Sequence, residues 1–322
     1  MEKYEDFLYR IGSGSSQEEF SDLLVTYSFA KEVRNGNKSY ENEDLKDGRS
    51  LDRYNKFIKF VTARNPKNYL MNDFATANQD YVFEIVAVII NEILGDNKQI
   101  IDEFIEFMSY IKIRKSEEVL NGIYYQMLND LNGDIIYNVL LPSVTNISSI
   151  VCIIHEFIHF HFQKNNMEPK KFYYGEILTI LFEKIAADFL QEWNLDQQMI
   201  HKIENVRIDS LKYHYTTQKE DIKLIKQYNS MVEPQYYEYT RRLYTEFKAY
   251  YDLLAQSYGI GYLYAESLFN LYKENPQEFQ KKLNSILCDE MSLQEVLDFY
   301  NINTGNKQVF EDAKEKIRMV TK

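Results

Sequence analysis

His155-Glu156-Phe157-Ile158-His159 carries the most specific chemical pattern in this 322-residue chain. Residues four apart lie one turn apart on the same face of a helix. His155 and His159 can therefore present two imidazole nitrogens to one metal ion, and zinc suits that ligand type. Glu156 directly follows the first imidazole. It is placed to take a proton from a water at the open side of the metal. Ile150, Val151, Ile153 and Ile154 precede the motif, so the helix is expected to be buried. Histidine and glutamate are costly there unless paired or metal-bound. One Zn²⁺ per chain is the expected cofactor.

Zinc needs a third protein ligand. Glu176 and Glu183 are seven apart in GEILTILFEKIAADFL, on one face of a second apolar helix. The first helix is expected to end near residues 164–166, and Pro169 suits the first position of a return helix. His159 then lies about 9 Å from its helix end and Glu176 about 10 Å from the start of the next, at a rise of 1.5 Å per residue. Glu176 is thus level with the histidines and is the expected ligand. Glu183 lies roughly 10 Å further on. Its expected role is to hold a histidine ring by the nitrogen that does not face the metal.

The elements that must position these groups are mostly helical. Apolar residues recur at three- and four-residue spacing over 16–34, 50–64, 80–94, 98–114 and 116–130. Asp134–Leu141 (DIIYNVLL) follows a turn signal, ends at Pro142 and is the best strand candidate. A free edge on that strand would hold substrate backbone. SVTNISS, rich in helix-capping residues, leads into the motif helix. A helical pattern runs from 169 to about 194, and 203–322 again reads as helix. Gly259-Ile260-Gly261 is read as a break within a tyrosine-dense stretch. The expected organisation is an N-terminal helical lobe over 1–115 and a catalytic helical lobe over 116–322.

Composition narrows the class. The chain is 45% hydrophobic and 27% charged, which supports a sizeable core. Its 11 glycines and 5 prolines are too few for a turn-rich β-sandwich. A net charge of −12 disfavours nucleic acid and anionic membranes as partners. Cys152 and Cys288 make no disulfide framework. No apolar run is long enough to span a bilayer, and the N-terminus lacks a signal-peptide pattern. The expected location is cytoplasmic.

HEFIH followed by Glu176, Thr179 and Glu183 (E-x-x-T-x-x-x-E) resembles the thimet oligopeptidase and oligoendopeptidase F family of zinc metallopeptidases. IIYNVLLPSVTNISSIVCIIHE is similar to that family's strand and turn before the zinc helix. The resemblance covers about 134–194 well and about 248–275 loosely. It implies a mainly α-helical fold with two lobes and a channel, and a short β-strand element before the zinc helix. It also implies hydrolysis of short peptides. Tyr258 and Tyr262, in LAQSYGIGYLYA, match the family's oxyanion-binding tyrosines. Ile158 stands where the family has a small residue, and the C-terminal histidine that the family uses with its tyrosines at the oxyanion has no counterpart here, Lys248 standing near its place. The expected function is a zinc metalloendopeptidase of the gluzincin type, with Glu156 as general base. The alternatives are a weakly active or inactive relative that binds peptides, and a zinc-free helical interaction protein. His161 is expected to point away from the metal face, and His201 and His214 to lie on the surface.

Overall fold

The computed structural model describes residues 45–69, 73–95, 97–114, 124–129, 135–142, 146–165, 175–231 and 237–321. The order among these residues is α1 (Gly48–Thr62), α2 (Gln79–Leu94), α3 (Lys98–Ser109), β1 (Ile111–Arg114), β2 (Tyr124–Asn129), β3 (Ile135–Pro142), α4 (Ile147–Lys164) and α5 (Gly175–Glu192). There follow α6 (Met199–Met231), α7 (Tyr237–Glu274), α8 (Pro276–Leu287), α9 (Leu293–Phe299) and α10 (Lys307–Val320). The fold is mainly helical. The helix expected over 16–34 lies outside the described residues. No helix among the described residues is long and apolar enough to cross a membrane.

The sheet corrects two expectations. The helix expected over 98–114 stops at Ser109, and β2 lies inside the helix expected over 116–130. Ile111-Lys112-Ile113-Arg114 alternates apolar and charged residues, which is the strand period. Tyr124 and Tyr125 open β2 with aromatic residues that favour strands. The strand order is β1-β3-β2. β3 is parallel to β1 over residues 139–142 and antiparallel to β2 over residues 135–140. The strand expected over Asp134–Leu141 exists; among the described residues its β2 side is covered from Ile135 to Leu140, and its β1 side is left unpaired by a strand from Ile135 to Asn138. Asp134 itself lies outside the described residues.

The boundary expected between 115 and 116 falls between β1 and β3, which are hydrogen-bonded in one sheet. One core also joins residues from both sides of it, among them Phe57, Val86, Phe107, Phe157, Phe182 and Phe310. The described residues do not divide at that point.

Local signals place the two helices that matter most. The Asn146 side-chain oxygen accepts from the amides of Ser148 at 2.9 Å and Ser149 at 3.3 Å, capping the start of α4. α4 is then buried nearly all round, with Ile150, Ile153, Ile154, Phe157, Ile158 and Phe160 all fully enclosed. Ile158, before the second histidine of the motif, is thus a core residue. α7 runs unbroken for 38 residues, about 57 Å. The expected break at Gly259-Ile260-Gly261 is therefore corrected. The two glycines serve close approach instead. A Cβ at 261 would lie 2.7 Å from Glu176 Cβ, and one at 259 would meet the hydroxyls of Tyr54 and Tyr215.

Candidate metal centre

α4 and α5 bring His155, His159 and Glu176 together, with one donor atom of each within 4.8 Å of the others. His159 Nε2 lies 3.6 Å from Glu176 Oε1, and His155 Nε2 lies 3.9 Å from Glu176 Oε2. A tetrahedral zinc with bonds near 2.1 Å places its ligand atoms about 3.4 Å apart, so a small closure would seat the ion. The chemistry of the set fits a divalent cation of the zinc type: two imidazoles and one carboxylate, nearly enclosed by α4 and α5.

The rings are also held from behind. His155 Nδ1 lies 2.7 Å from Glu183 Oε1. A proton on Nδ1 directed at that carboxylate leaves the Nε2 lone pair facing Glu176 and His159. Glu183 is in turn gripped by Arg207 of α6, whose Nε and Nη2 each reach one of its oxygens. Arg207 Nη2 also lies 3.4 Å from His155 Nδ1. Arg207 was not anticipated from the sequence. Its one signal is spacing: Glu204, Arg207, Leu211 and His214 form a single stripe along α6.

The described part of α5 begins at Gly175, and Glu176 stands in its first turn. Pro169, the expected start of the return helix, and the rest of residues 166–174 lie outside the described residues.

Burial governs the charges. It holds His155 well below the usual histidine range, with the neighbouring His159 adding to the effect. It pushes the Glu156 carboxyl up to about 7; His159 and Arg207 oppose this and Glu176 adds to it. Burial would raise Glu176 too, but the hydrogen bond and charge of His159, with His155 and Arg207, outweigh it and hold the carboxyl at about 2. Glu156 thus keeps electrostatic company with the metal-type group and is not fully enclosed.

The two tyrosines part company. Tyr258 is partly exposed, and its ring stacks on His214 of α6 with centroids 4.1 Å apart and planes 16° apart. His214 was expected on the surface. It is instead largely enclosed; burial lowers it to about 4, and it feels the charges of Glu176 and Arg207. Tyr262 is fully buried, and its hydroxyl donates to Glu204 at 2.8 Å. Its expected role at the oxyanion is corrected accordingly, because the hydroxyl is committed to another cluster. That cluster is built on Lys184, which pairs with Glu204 and lies 2.8 Å from Glu266. It ties α5, α6 and α7 together beside the site. His161 is fully enclosed, with Nδ1 2.6 Å from Glu103 and Nε2 2.9 Å from the Leu287 carbonyl. Lys248 lies on α7, but its side chain is outside the described residues.

No family model matches the chain, and no curated protein sequence does. Its fold is similar to that of solved structures. A Bacillus anthracis protein described as a candidate oligoendopeptidase F matches at a TM-score of 0.53 and 13% identity, over 94% of this chain and 62% of its own. A second candidate oligoendopeptidase F, solved by X-ray diffraction, matches at 0.56 and 11%, over 98% of this chain and 65% of its own. The chain thus spans less than two thirds of the length of these structures and shares their helical fold.

Proposed function

We propose that this protein is a zinc metallopeptidase of the gluzincin type that hydrolyses short peptides. The observation that carries the reading is the convergence of His155, His159 and Glu176 with Glu156 beside them. The fold shared with the candidate oligoendopeptidases supports a peptide substrate.

His155, His159 and Glu176 would hold the ion and leave one position open. Bound zinc supplies a Lewis acid that polarises the scissile carbonyl and makes water a better nucleophile. Glu183, braced by Arg207, keeps the His155 Nδ1 proton on the side away from the ion. Glu156 takes a proton from the attacking water as the new C–O bond forms. It then gives that proton to the amine nitrogen as the C–N bond breaks. Tyr258 donates its hydroxyl hydrogen to the oxyanion that develops on the carbonyl oxygen.

The test is zinc content beside peptide cleavage. The purified protein should hold about one zinc per chain, and His155→Ala or His159→Ala should lose it. Glu156→Gln should keep zinc and lose turnover by several orders of magnitude, since base catalysis and water activation fail together. A folded, metal-free wild type sinks the reading. A zinc-loaded wild type that binds peptides without cleaving them points to a peptide-binding relative.

A further inference from the structure

α7 sits in a slot between two walls. Its 38 residues include two glycines within three positions, although glycine inside a helix is less stable than alanine. At 3.6 residues per turn, positions 259 and 261 lie about 200° apart around the axis and face nearly opposite sides. On one side, a Cβ at 261 would lie 2.7 Å from Glu176 Cβ, 3.1 Å from its carbonyl carbon and 3.2 Å from its carbonyl oxygen. On the other, a Cβ at 259 would overlap the Tyr215 hydroxyl and lie 2.6 Å from that of Tyr54. A Cβ at Gly175, beside the same glutamate, would meet nothing within 4 Å. The crowding at Glu176 therefore comes from α7.

The far wall is a bonded unit. Tyr54 of α1 and Tyr215 of α6 share a hydrogen bond between their hydroxyls, and the Tyr215 hydroxyl donates to the Ala255 carbonyl at 2.7 Å. Ala255 is one turn before Gly259 on the same face of α7. The hydroxyl pair thus holds one turn of α7 and blocks the next. The near wall does not yield, because the atoms facing Gly261 are the Cβ and main chain of Glu176 and not the end of a rotatable side chain. A packed interior with few voids passes such a displacement on. We propose that Tyr54 and Tyr215 are positioning residues of the metal centre, setting where Glu176 stands through the two glycine faces of α7. The proposal rests on the reading of His155, His159 and Glu176 as metal ligands. α1 thereby acts on the centre without supplying a ligand to it.

The experiment measures zinc affinity of the folded protein by competition with a chelator, with urea unfolding of each metal-free variant beside it. Gly259→Ala should press α7 towards Glu176 and weaken zinc about 10- to 100-fold, the loss expected when the support of a ligand is disturbed. The double variant Tyr54→Phe/Tyr215→Phe keeps both rings, opens the space and releases the Ala255 carbonyl; it should weaken zinc several-fold. Adding Gly259→Ala to that double variant puts a methyl where the hydroxyls were, and the triple variant should bind zinc at least as tightly as the double. Leu297→Ala, at a buried position of α9 outside both walls, should lower the urea midpoint and leave zinc affinity within a few-fold of wild type. Wild-type affinity in Gly259→Ala or in the double variant overturns the proposal, as does a triple variant that binds more weakly than the double. If Gly259→Ala does not fold, the double and triple variants decide by the same two criteria. A loss in Leu297→Ala as large as that in Gly259→Ala also overturns it, by making zinc affinity follow stability. These results leave the metal centre intact. A folded wild type that takes up no zinc overturns both.

Discussion

Glu183 and Lys184 are neighbours on α5, yet the buried clusters they join balance their charges in different ways. Around Lys184, donors meet acceptors. The ammonium faces Glu204 and Glu266, the Tyr262 hydroxyl donates to Glu204, and the ammonium lies 4.8 Å over the Tyr262 ring. That cluster closes on itself. Around His155, two imidazoles and the Glu176 carboxylate face one another; His159 hydrogen-bonds to Glu176, and burial favours the neutral form of His155. One donor atom of each lies within 4.8 Å of the others, an arrangement that a divalent cation would fit. The difference teaches that burial and charge alone do not mark a site. The convergence of ligand-type atoms does.

The largest effects should come from breaking the open cluster. Glu176→Ala removes a ligand and should abolish stable zinc binding, as read by metal content after dialysis. Glu183→Ala and Arg207→Met leave all three ligands and should weaken zinc about 10- to 100-fold, the usual loss for a partner behind a metal-bound histidine. Competition with a chelator ranks the three. If Glu183→Ala lost zinc while Glu176→Ala kept it, the ligand assignment would be reversed.

Breaking the closed cluster should cost stability and spare the metal. Lys184→Met leaves Glu204 and Glu266 buried without their cation, and should destabilise the fold by about 3–5 kcal/mol. Urea unfolding measures this, and zinc affinity in the folded state should stay within a few-fold of wild type. Loss of zinc with unchanged stability would show that the two clusters are one unit.

A smaller effect sharpens the comparison through pH. His214 is held at about 4 in the fold, against about 6.5 when unfolded. Between those values the unfolded chain binds a proton there and the folded chain does not. Its contribution to stability is therefore complete above about 6.5 and is lost as pH falls towards 4. Glu156, held at about 7, acts in the opposite sense between 7 and its unfolded value near 4.5. The metal-free wild type must therefore be compared with metal-free His214→Phe, which removes only the histidine. The stability difference between them should shrink on acidification from 6.5 to 4, by up to about 1.4 kcal/mol per pH unit. A difference independent of pH would mean that His214 titrates as a surface histidine.

Much of the candidate site was legible in the sequence for one reason: helix geometry is periodic. Four-residue spacing puts His155 and His159 on one face, and seven-residue spacing does the same for Glu176 and Glu183. What failed to show was long-range. β1 and β2 read as parts of helices because short apolar runs fit both periods, and only β3 supplies the hydrogen bonds that decide. Arg207 and His214 sit in a charged helix that looked solvated; their importance depends on which face α5 and α7 cover. Tyr262 failed in the opposite way. Its place beside Gly261 looked functional, but the neighbouring stripe of α7 packs on Lys184, and its hydroxyl answers Glu204. Residue type and spacing predict what a group could do. Its partners decide what is left for it to do.

The glycine pair of α7 sets a tolerance. Most helices meet through side chains, which can rotate and absorb a few tenths of an ångström. At Gly261 there is no side chain, and the next atoms along the line of approach belong to Glu176, both its Cβ and its own backbone. On the far side of the same turn, Gly259 brings the backbone against Tyr54 and Tyr215. The middle of α7 is therefore a spacer machined on two faces. The position of one candidate ligand is gauged directly against the main chain of another helix, with almost no play between them.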